Sequence, residues 1–271
     1  MLNGMLFGMV NSDSVLNKIG GIVAIEKMTE IDYEEESSSK FSRVNYLRLA
    51  LASKEKLVMD CAARALGSFA KSSDTLIVQS ISFEIQRAID ALKGDSNTPE
   101  KMRSAILVLR ECARKAPLLF LSYIPEFGKL IWTGLKSEEI EIREISASSL
   151  QVVLLLLHHR QTTSPQQTID FVSSLYSECL RGLDNQSNHI KHGSILALAE
   201  LLKYRFLKSK FSQLSPKIVA LKESKDKNIK KQVLLLLPPL SRFDPPLFMK
   251  VNLYSFFLHT QFSNLFFLNS F

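Results

Sequence analysis

Basic side chains are concentrated in one part of this chain, and they are the residues best placed to bind a partner. Between Lys203 and Lys231 there are ten lysines and arginines against two acids, Glu223 and Asp226, in a chain whose net charge is +7. Such a surface could contact nucleic acid, an acidic lipid surface or an acidic protein. No aromatic residue interleaves with the lysines from Lys222 to Lys231 to stack on bases, so we favour a solvated or protein-facing surface. The residues of the predicted surface are Lys208, Lys210, Lys217, Lys222, Lys225, Lys227, Lys230 and Lys231.

Histidines and cysteines offer little for metal or redox chemistry. His189 and His192 lie three positions apart, so a helix would place both imidazoles near one metal ion. No third ligand is close in sequence, and we predict a histidine pair at the surface or between repeats, with no metal and no cofactor. The cysteines Cys61, Cys112 and Cys179 are odd in number and far apart, which predicts reduced thiols inside helices of a cytosolic or nuclear protein.

Two further features have both a functional and a structural interpretation. The segment 32–40 contains three glutamates followed by three serines, and it is predicted to be an exposed loop. Its serines could be phosphorylated, or its acids could bind a basic partner. We expect a solvated loop with neither role. Trp132 is predicted to lie in the core, although an exposed tryptophan could anchor an interface.

The elements that must position these side chains repeat along the sequence. The segments Ile142–Leu150, Ile190–Leu198 and Ile229–Leu237 each begin with an isoleucine and a basic residue and reach a leucine eight positions later. Weaker copies end at Ile25, Leu66 and Leu109. The aligned positions lie 41, 43, 41, 48 and 39 residues apart, a period typical of HEAT or armadillo repeats. The sequence therefore predicts an all-α fold, an α-α superhelix of about six helix pairs with the aligned residues inside.

Apolar spacing and capping residues predict the helix bounds. First (A) helices are expected over 41–52, 74–92, 117–135, 165–183 and 206–221, and second (B) helices within 11–31 and over 54–71, 99–115, 137–159, 189–204 and 226–240. Asp74 and Thr98 are predicted N-caps, Pro99 opens a helix and Gly94 ends one. Glycine and proline are scarce, at 10 and 9 residues, as helices joined by short turns require.

The C-terminal end departs from this pattern. Residues 251–271 contain no charged side chain, and seven of the 17 phenylalanines lie in the last 25 residues. Nine of the 21 residues from 251 to 271 are polar, which disfavours a membrane anchor. No targeting or transmembrane segment is predicted elsewhere in the chain. We therefore divide the chain into a repeat solenoid, 1–253, and an atypical tail, 254–271, expected to be poorly ordered or a truncation artefact. Deleting the tail should improve solubility without lowering helix content.

Particular segments resemble a known family. The stretch 97–113, NTPEKMRSAILVLRECA, followed by Ala116-Pro117 and Phe120, is similar to the N-terminal HEAT region of the target of rapamycin (TOR) serine/threonine kinases. The same holds for Ile142-Arg143-Glu144 and for Phe41 with Asn45-Tyr46-Leu47. The resemblance is collinear from about residue 19 to about residue 253.

The resemblance implies a scaffold rather than a catalyst. In the TOR family the kinase domain lies far toward the C-terminus, and this chain has no G-x-G-x-x-G loop and no Asp-Phe-Gly. We therefore expect no kinase activity and no ATP binding above background. The matching region of the family builds arms that dimerise the kinase and hold Raptor or Rictor in the cytoplasm, in some cases at endomembranes. The alternative is another HEAT or armadillo adaptor, such as a nuclear transport receptor or a phosphatase scaffold.

Overall fold

The structure, a computed structural model, describes residues 2–31, 36–94, 98–160, 165–204 and 211–241. This described part is built from helices and contains no strand. The helices are α1 (Leu2–Val10), α2 (Val15–Glu30), α3 (Ser37–Ala50), α4 (Lys56–Phe69), α5 (Thr75–Lys93), α6 (Pro99–Lys115), α7 (Pro117–Phe120), α8 (Ile124–Leu135), α9 (Ile140–His159), α10 (Pro165–Leu183), α11 (Asn188–Lys203), α12 (Phe211–Ala220) and α13 (Lys227–Ser241). Short 3₁₀ turns cover Leu121–Tyr123 and Leu221–Glu223. The predicted all-α, HEAT/armadillo-type fold is confirmed.

The helices of unit 1, Met1–Leu175, pack in two layers. The A helices α1, α3, α5 and α8 contact one another in chain order, and so do the B helices α2, α4, α6 and α9. Each A helix also packs on the B helix of its own pair. Every helix pair therefore hides its apolar stripe against the next pair, as a repeat protein requires.

Unit 2, Tyr176–Phe271, contains the end of α10 together with α11, α12 and α13. Its B helices α11 and α13 pack against each other, and α12 packs on α13. The end of α10 crosses α11 closely at Gly182, where an added Cβ would collide with the hydroxyl of Ser194. The same two-layer scheme of paired helices is thus present in this unit.

The aligned repeat positions form the core of each unit. Ile25, Leu66, Leu109 and Leu150 are fully buried in unit 1, and Leu198 and Leu237 are buried in unit 2. Each of these residues lies on a B helix, which contacts its own A helix or the neighbouring B helix. The prediction that the repeat leucines lie inside is confirmed.

The predicted caps lie where the sequence placed them. The Asp74 carboxylate accepts hydrogen bonds from the backbone amides of Leu76 at 2.9 Å and Ile77 at 3.4 Å. The Thr98 hydroxyl accepts from the amide of Lys101 at 3.4 Å, with Pro99 in the first helical position. These bonds satisfy amides that the first turn of a helix leaves without partners.

The segment 32–40 is only partly the loop that the sequence predicted. Residues 32–35 lie outside the described part, but α3 begins at Ser37, so the prediction was wrong for Ser37–Lys40. The Ser37 hydroxyl donates to the Asp74 carboxylate at 2.5 Å, which fixes the first turn of α3 beside the start of α5. This bond, together with the amides of Leu76 and Ile77, lowers the pKa of Asp74.

Two further helices differ from prediction by at least three residues. The helix expected over 117–135 is interrupted, because Pro125 lacks an N–H and its ring clashes with the carbonyl one turn earlier. The helix expected from residue 137 begins at Ile140. The Arg143 guanidinium donates to the carbonyls of Ser137 at 2.7 Å and Glu138 at 2.8 Å, which holds that short segment outside the helix.

The cysteines and the tryptophan lie in helices and are buried. Cys61, Cys112 and Cys179 are free thiols, and Trp132 is 6% exposed, as predicted for a core residue. Burial raises the pKa of the Cys112 thiol to about 12 and also raises the pKa of Cys179. Both thiols are therefore neutral and poor nucleophiles at physiological pH.

The remaining expectations concern the tail and membrane-spanning segments. The tail 254–271 lies outside the described residues, so its order and the boundary at 253 stay predictions. Among the helices of the described part, none is long and apolar enough to cross a bilayer.

Candidate interaction surfaces

The predicted lysine surface lies at the start of α13 and on the segment before it. We use the name basic surface for its described residues, Lys217, Lys222, Lys225, Lys227, Lys230 and Lys231. The remaining two predicted residues, Lys208 and Lys210, lie outside the described part of the chain. Lys217 lies on α12, Lys222 lies in the 3₁₀ turn, and the rest follow within ten residues.

Most of the basic surface carries uncompensated charge. Lys217 pairs with Asp184 at 2.6 Å, and Lys222 lies 3.6 Å from Glu223. The nearby Asp226 carboxylate caps α13, accepting from the amide of Asn228 at 2.8 Å. Four exposed lysines make no ion pair with any described residue: Lys225, Lys227, Lys230 and Lys231.

The same repeat position has two different roles in the two units. Arg143 follows the first isoleucine of its repeat copy, is buried, and donates to two backbone carbonyls. Lys230 occupies the equivalent position after Ile229 and is exposed. The basic residue of the motif is therefore structural in α9 and available for binding in α13.

Two arginines on the B helices of unit 1 are instead used within the fold. Arg64 on α4 pairs with Glu26 on α2 at 2.9 Å, which raises the pKa of the arginine. Arg103 on α6 pairs with Asp60 on α4, also at 2.9 Å. Because these pairs join neighbouring repeats, they serve the stability of the array rather than a ligand.

A second candidate surface, which the sequence analysis missed, is a groove between α3 and α5. We call it the α3–α5 groove; it has a volume of about 790 Å³ and is lined by Phe41, Leu76 and Phe83. These three side chains are 46%, 58% and 70% exposed, respectively. The sequence does indicate that Leu76 and Phe83 are exposed, because both lie off the buried stripe of α5. The sequence pattern of α5 does not show that α3 lies beside these two residues.

One end of the α3–α5 groove carries a cluster of charges. The Arg48 Nε donates to Glu84 Oε1 at 2.7 Å, and Arg87 Nη2 donates to the same oxygen at 3.1 Å. The Glu84 side chain is only 3% exposed, whereas those of Arg48 and Arg87 are 33% and 53% exposed. Two guanidinium groups thus share one buried carboxylate.

The two histidines are in different surroundings. His189 Nδ1 lies 2.9 Å from the Ser187 hydroxyl, whereas His192 is buried within α11. Across the described ranges, no three His, Cys, Asp or Glu side chains are grouped as a metal ion would require.

Comparison with known proteins confirms the TOR resemblance. The chain is 32% identical over 260 residues to the serine/threonine-protein kinase tor1 of Schizosaccharomyces pombe, covering 95% of this chain and 11% of that protein. It is 28% identical to TOR2 of Saccharomyces cerevisiae and 26% identical to TOR of Arabidopsis thaliana, covering 95% and 87% of this chain. The chain thus spans only about a tenth of these relatives. No protein-family model matches the sequence.

Solved structures with the same fold include karyopherins. A chain of the Kap95:Nup1 complex superposes with a TM-score of 0.66 at 12% identity, covering 98% of this chain and 32% of that one. A Kap121p mutant gives a TM-score of 0.57 at 13% identity, covering 94% of this chain and 27% of that one. At such low identity the likeness establishes the helical repeat fold alone.

Proposed function

We propose that this chain is a protein-interaction scaffold that acts as a HEAT-repeat arm of a TOR-type kinase. The similarity to tor1 at 32% identity over 95% of the chain is the observation that carries this proposal. In this role the arm supports dimerisation of the kinase and holds companion subunits of the Raptor or Rictor type in nutrient and growth signalling. The same resemblance suggests a cytoplasmic location with association to endomembranes.

We further propose that the arm itself has no catalytic role. Phosphoryl transfer needs a lysine, a base and metal-binding carboxylates held together in one cleft. Two carboxylates on the B helices of unit 1, Glu26 and Asp60, instead pair with arginines of a neighbouring repeat. Two of the thiols, Cys112 and Cys179, are buried and neutral. These observations support a role for these carboxylates and thiols in stabilising the fold, whereas an enzyme would place such groups in contact with its substrate.

We propose that the basic surface binds an acidic segment of a companion subunit. Four exposed lysines that form no ion pair within the described part of the chain attract an acidic segment over a Debye length of about 8–10 Å at physiological salt. Such attraction mainly accelerates association and selects the partner by charge. The assignment extends the proposed scaffold role to named residues.

Reversing the four free charges of the basic surface should weaken binding of the full chain to a purified Raptor-type subunit. We expect the variant with Lys225, Lys227, Lys230 and Lys231 changed to glutamate to lose at least about tenfold in affinity at 0.1 M salt, because like charges would then face each other. Biolayer interferometry at increasing salt measures the effect, which should shrink as the charges are screened.

The matched control changes four other exposed lysines to glutamate, at positions that lie in unit 1: Lys54, Lys71, Lys101 and Lys129. This variant has the same net charge as the first, so it separates a local contact from a general loss of positive charge. Equal weakening by both variants would contradict the assignment of the basic surface. Absence of binding by the unmodified chain would contradict the scaffold role itself.

A further inference from the structure

We infer that Thr98 is a phosphorylation site for a proline-directed kinase, and that a cationic depression beside it holds the resulting phosphate. The sequence Thr98-Pro99-Glu100-Lys101 has a proline directly after the acceptor and a basic residue three positions after it. Such kinases select substrates by the residue without an N–H that follows the acceptor and by the charge beyond it. This inference goes beyond the TOR-type role, because it needs neither the basic surface nor a companion subunit.

Thr98 is accessible and has a backbone conformation that can enter a kinase cleft. It is exposed, with φ −71° and ψ 151°, the extended conformation that a proline imposes on the residue before it. Its hydroxyl accepts from the Lys101 amide at 3.4 Å, which is longer than an ordinary hydrogen bond, so turning it toward a kinase costs little. The other such site in the described part of the chain is Ser215-Pro216, where the serine is only 2% exposed.

Phosphorylation of Thr98 adds a charge at the start of α6. The Thr98 Oγ attacks the γ-phosphorus of the ATP that the kinase supplies, and a new O–P bond forms. The bond from this phosphorus to the oxygen bridging the β- and γ-phosphates breaks, ADP leaves, and the hydroxyl proton passes to the base of the kinase. The product carries about −1.5 to −2 charges at pH 7 and three acceptor oxygens. At the N-cap of α6, these oxygens can accept from first-turn amides at the positive end of the helix dipole.

The depression beside Thr98 has the charge that such a phosphate requires. We call it the α5–α6 depression; its volume is about 520 Å³, and Thr98 is part of its lining. The charged residues of the lining are four cations and two acids: Arg48, Lys54, Arg87, Lys101, Glu84 and Glu100. The buried Glu84 is shared by the two arginines, whereas Lys54 and Lys101 are exposed and form no ion pair with any described residue. Four cations against two acids leave an excess of two positive charges, which a phosphate dianion neutralises.

The occupant of the α5–α6 depression is determined by the chain itself. Because Thr98 belongs to the lining, a phosphate attached to it has a high effective concentration at the lysines. Two other acids do not line the depression: Glu55, which follows Lys54 in the chain, and Asp90, which lines the α3–α5 groove. Asp90 instead accepts from the Gln86 amide at 2.9 Å.

The first test treats the full chain with a purified cyclin-dependent kinase complex, Mg²⁺ and ATP, and locates the phosphate by mass spectrometry. We expect nearly complete modification of Thr98 and loss of this phosphate in Thr98→Ala. A synthetic peptide of residues 92–104 shows whether the kinase recognises the sequence alone. The inference would be overturned if the peptide were phosphorylated and Thr98 of the folded chain were not, or if neither were phosphorylated.

The second test measures whether the α5–α6 depression holds the phosphate. Phosphorus NMR of the phosphorylated chain gives the second pKa of the phosphothreonine, which is about 6 without neighbouring charges. Because cations favour the dianion, this pKa should be at least about 0.5 lower in the folded chain than in the same chain unfolded in urea. Lys54→Gln should raise the pKa in the folded chain by about 0.3.

The matched control is Lys71→Gln, which removes an exposed lysine outside the lining and should leave the pKa of the phosphothreonine unchanged. Equal pKa values in the folded and unfolded chains would overturn the assignment of the α5–α6 depression. Equal effects of Lys54→Gln and Lys71→Gln would overturn it as well. Circular dichroism of each variant checks that it is folded.

Discussion

Replacing Leu109 with alanine should lower the free energy of unfolding by about 2–5 kcal/mol, because it opens a cavity in the middle of unit 1. Leu109 is fully buried on α6, and α6 packs against both α4 and α9. The cavity would therefore weaken contacts with two neighbouring repeats. Urea unfolding followed by far-ultraviolet circular dichroism measures the loss.

Leu118→Ala is the control for this prediction, because Leu118 is 78% exposed. Removing an exposed leucine leaves no cavity, so its effect should stay within about 0.5 kcal/mol. A Leu109→Ala variant as stable as the control would show that the repeat leucines do not form the core.

Gly134→Ala should destabilise the chain by about 1–3 kcal/mol, through overpacking rather than through a cavity. A Cβ at this position of α8 would collide with the Ser146 hydroxyl on α9 and would lie 2.6 Å from Ile106 on α6. The Ser146 hydroxyl donates to the Ile142 carbonyl at 2.7 Å, so it cannot move away without losing that bond. Thermal unfolding of the variant tests the expected decrease.

Gly8→Ala on α1 is the opposite case, since an added Cβ there has nothing within 4 Å. Alanine favours a helix over glycine, so this variant should be more stable by about 0.4–1 kcal/mol. The two substitutions are chemically identical and differ only in the space around them. If Gly134→Ala and Gly8→Ala changed the free energy of unfolding in the same direction, close packing of α8 on α9 would not be the reason for a glycine at position 134.

The repeat pattern could be predicted because it depends on local chemistry. A side chain such as Leu66 or Leu150 is buried wherever a helix stripe meets its neighbour, so spacing alone identifies it. Thr98 followed by Pro99 marks a helix start through bonds within one turn. Such signals need no knowledge of distant parts of the chain.

Other features depend on contacts between segments far apart in sequence. The start of α3 at Ser37 relies on a bond to Asp74, which lies 37 residues away. The α3–α5 groove likewise exists only because two successive A helices pack side by side. Spacing within one helix cannot reveal any of these.

A chimeric kinase tests the proposed scaffold role most directly. The segment of Schizosaccharomyces pombe tor1 that matches this chain would be replaced by the chain, and in a control by the superposable segment of Kap95, which shares the fold at 12% identity. The measurement is co-purification of the Raptor-type subunit with each chimera. The account predicts that the first chimera retains the subunit and the Kap95 chimera loses it. Equal retention by both, or loss from the first alone, would contradict a TOR-type scaffold function.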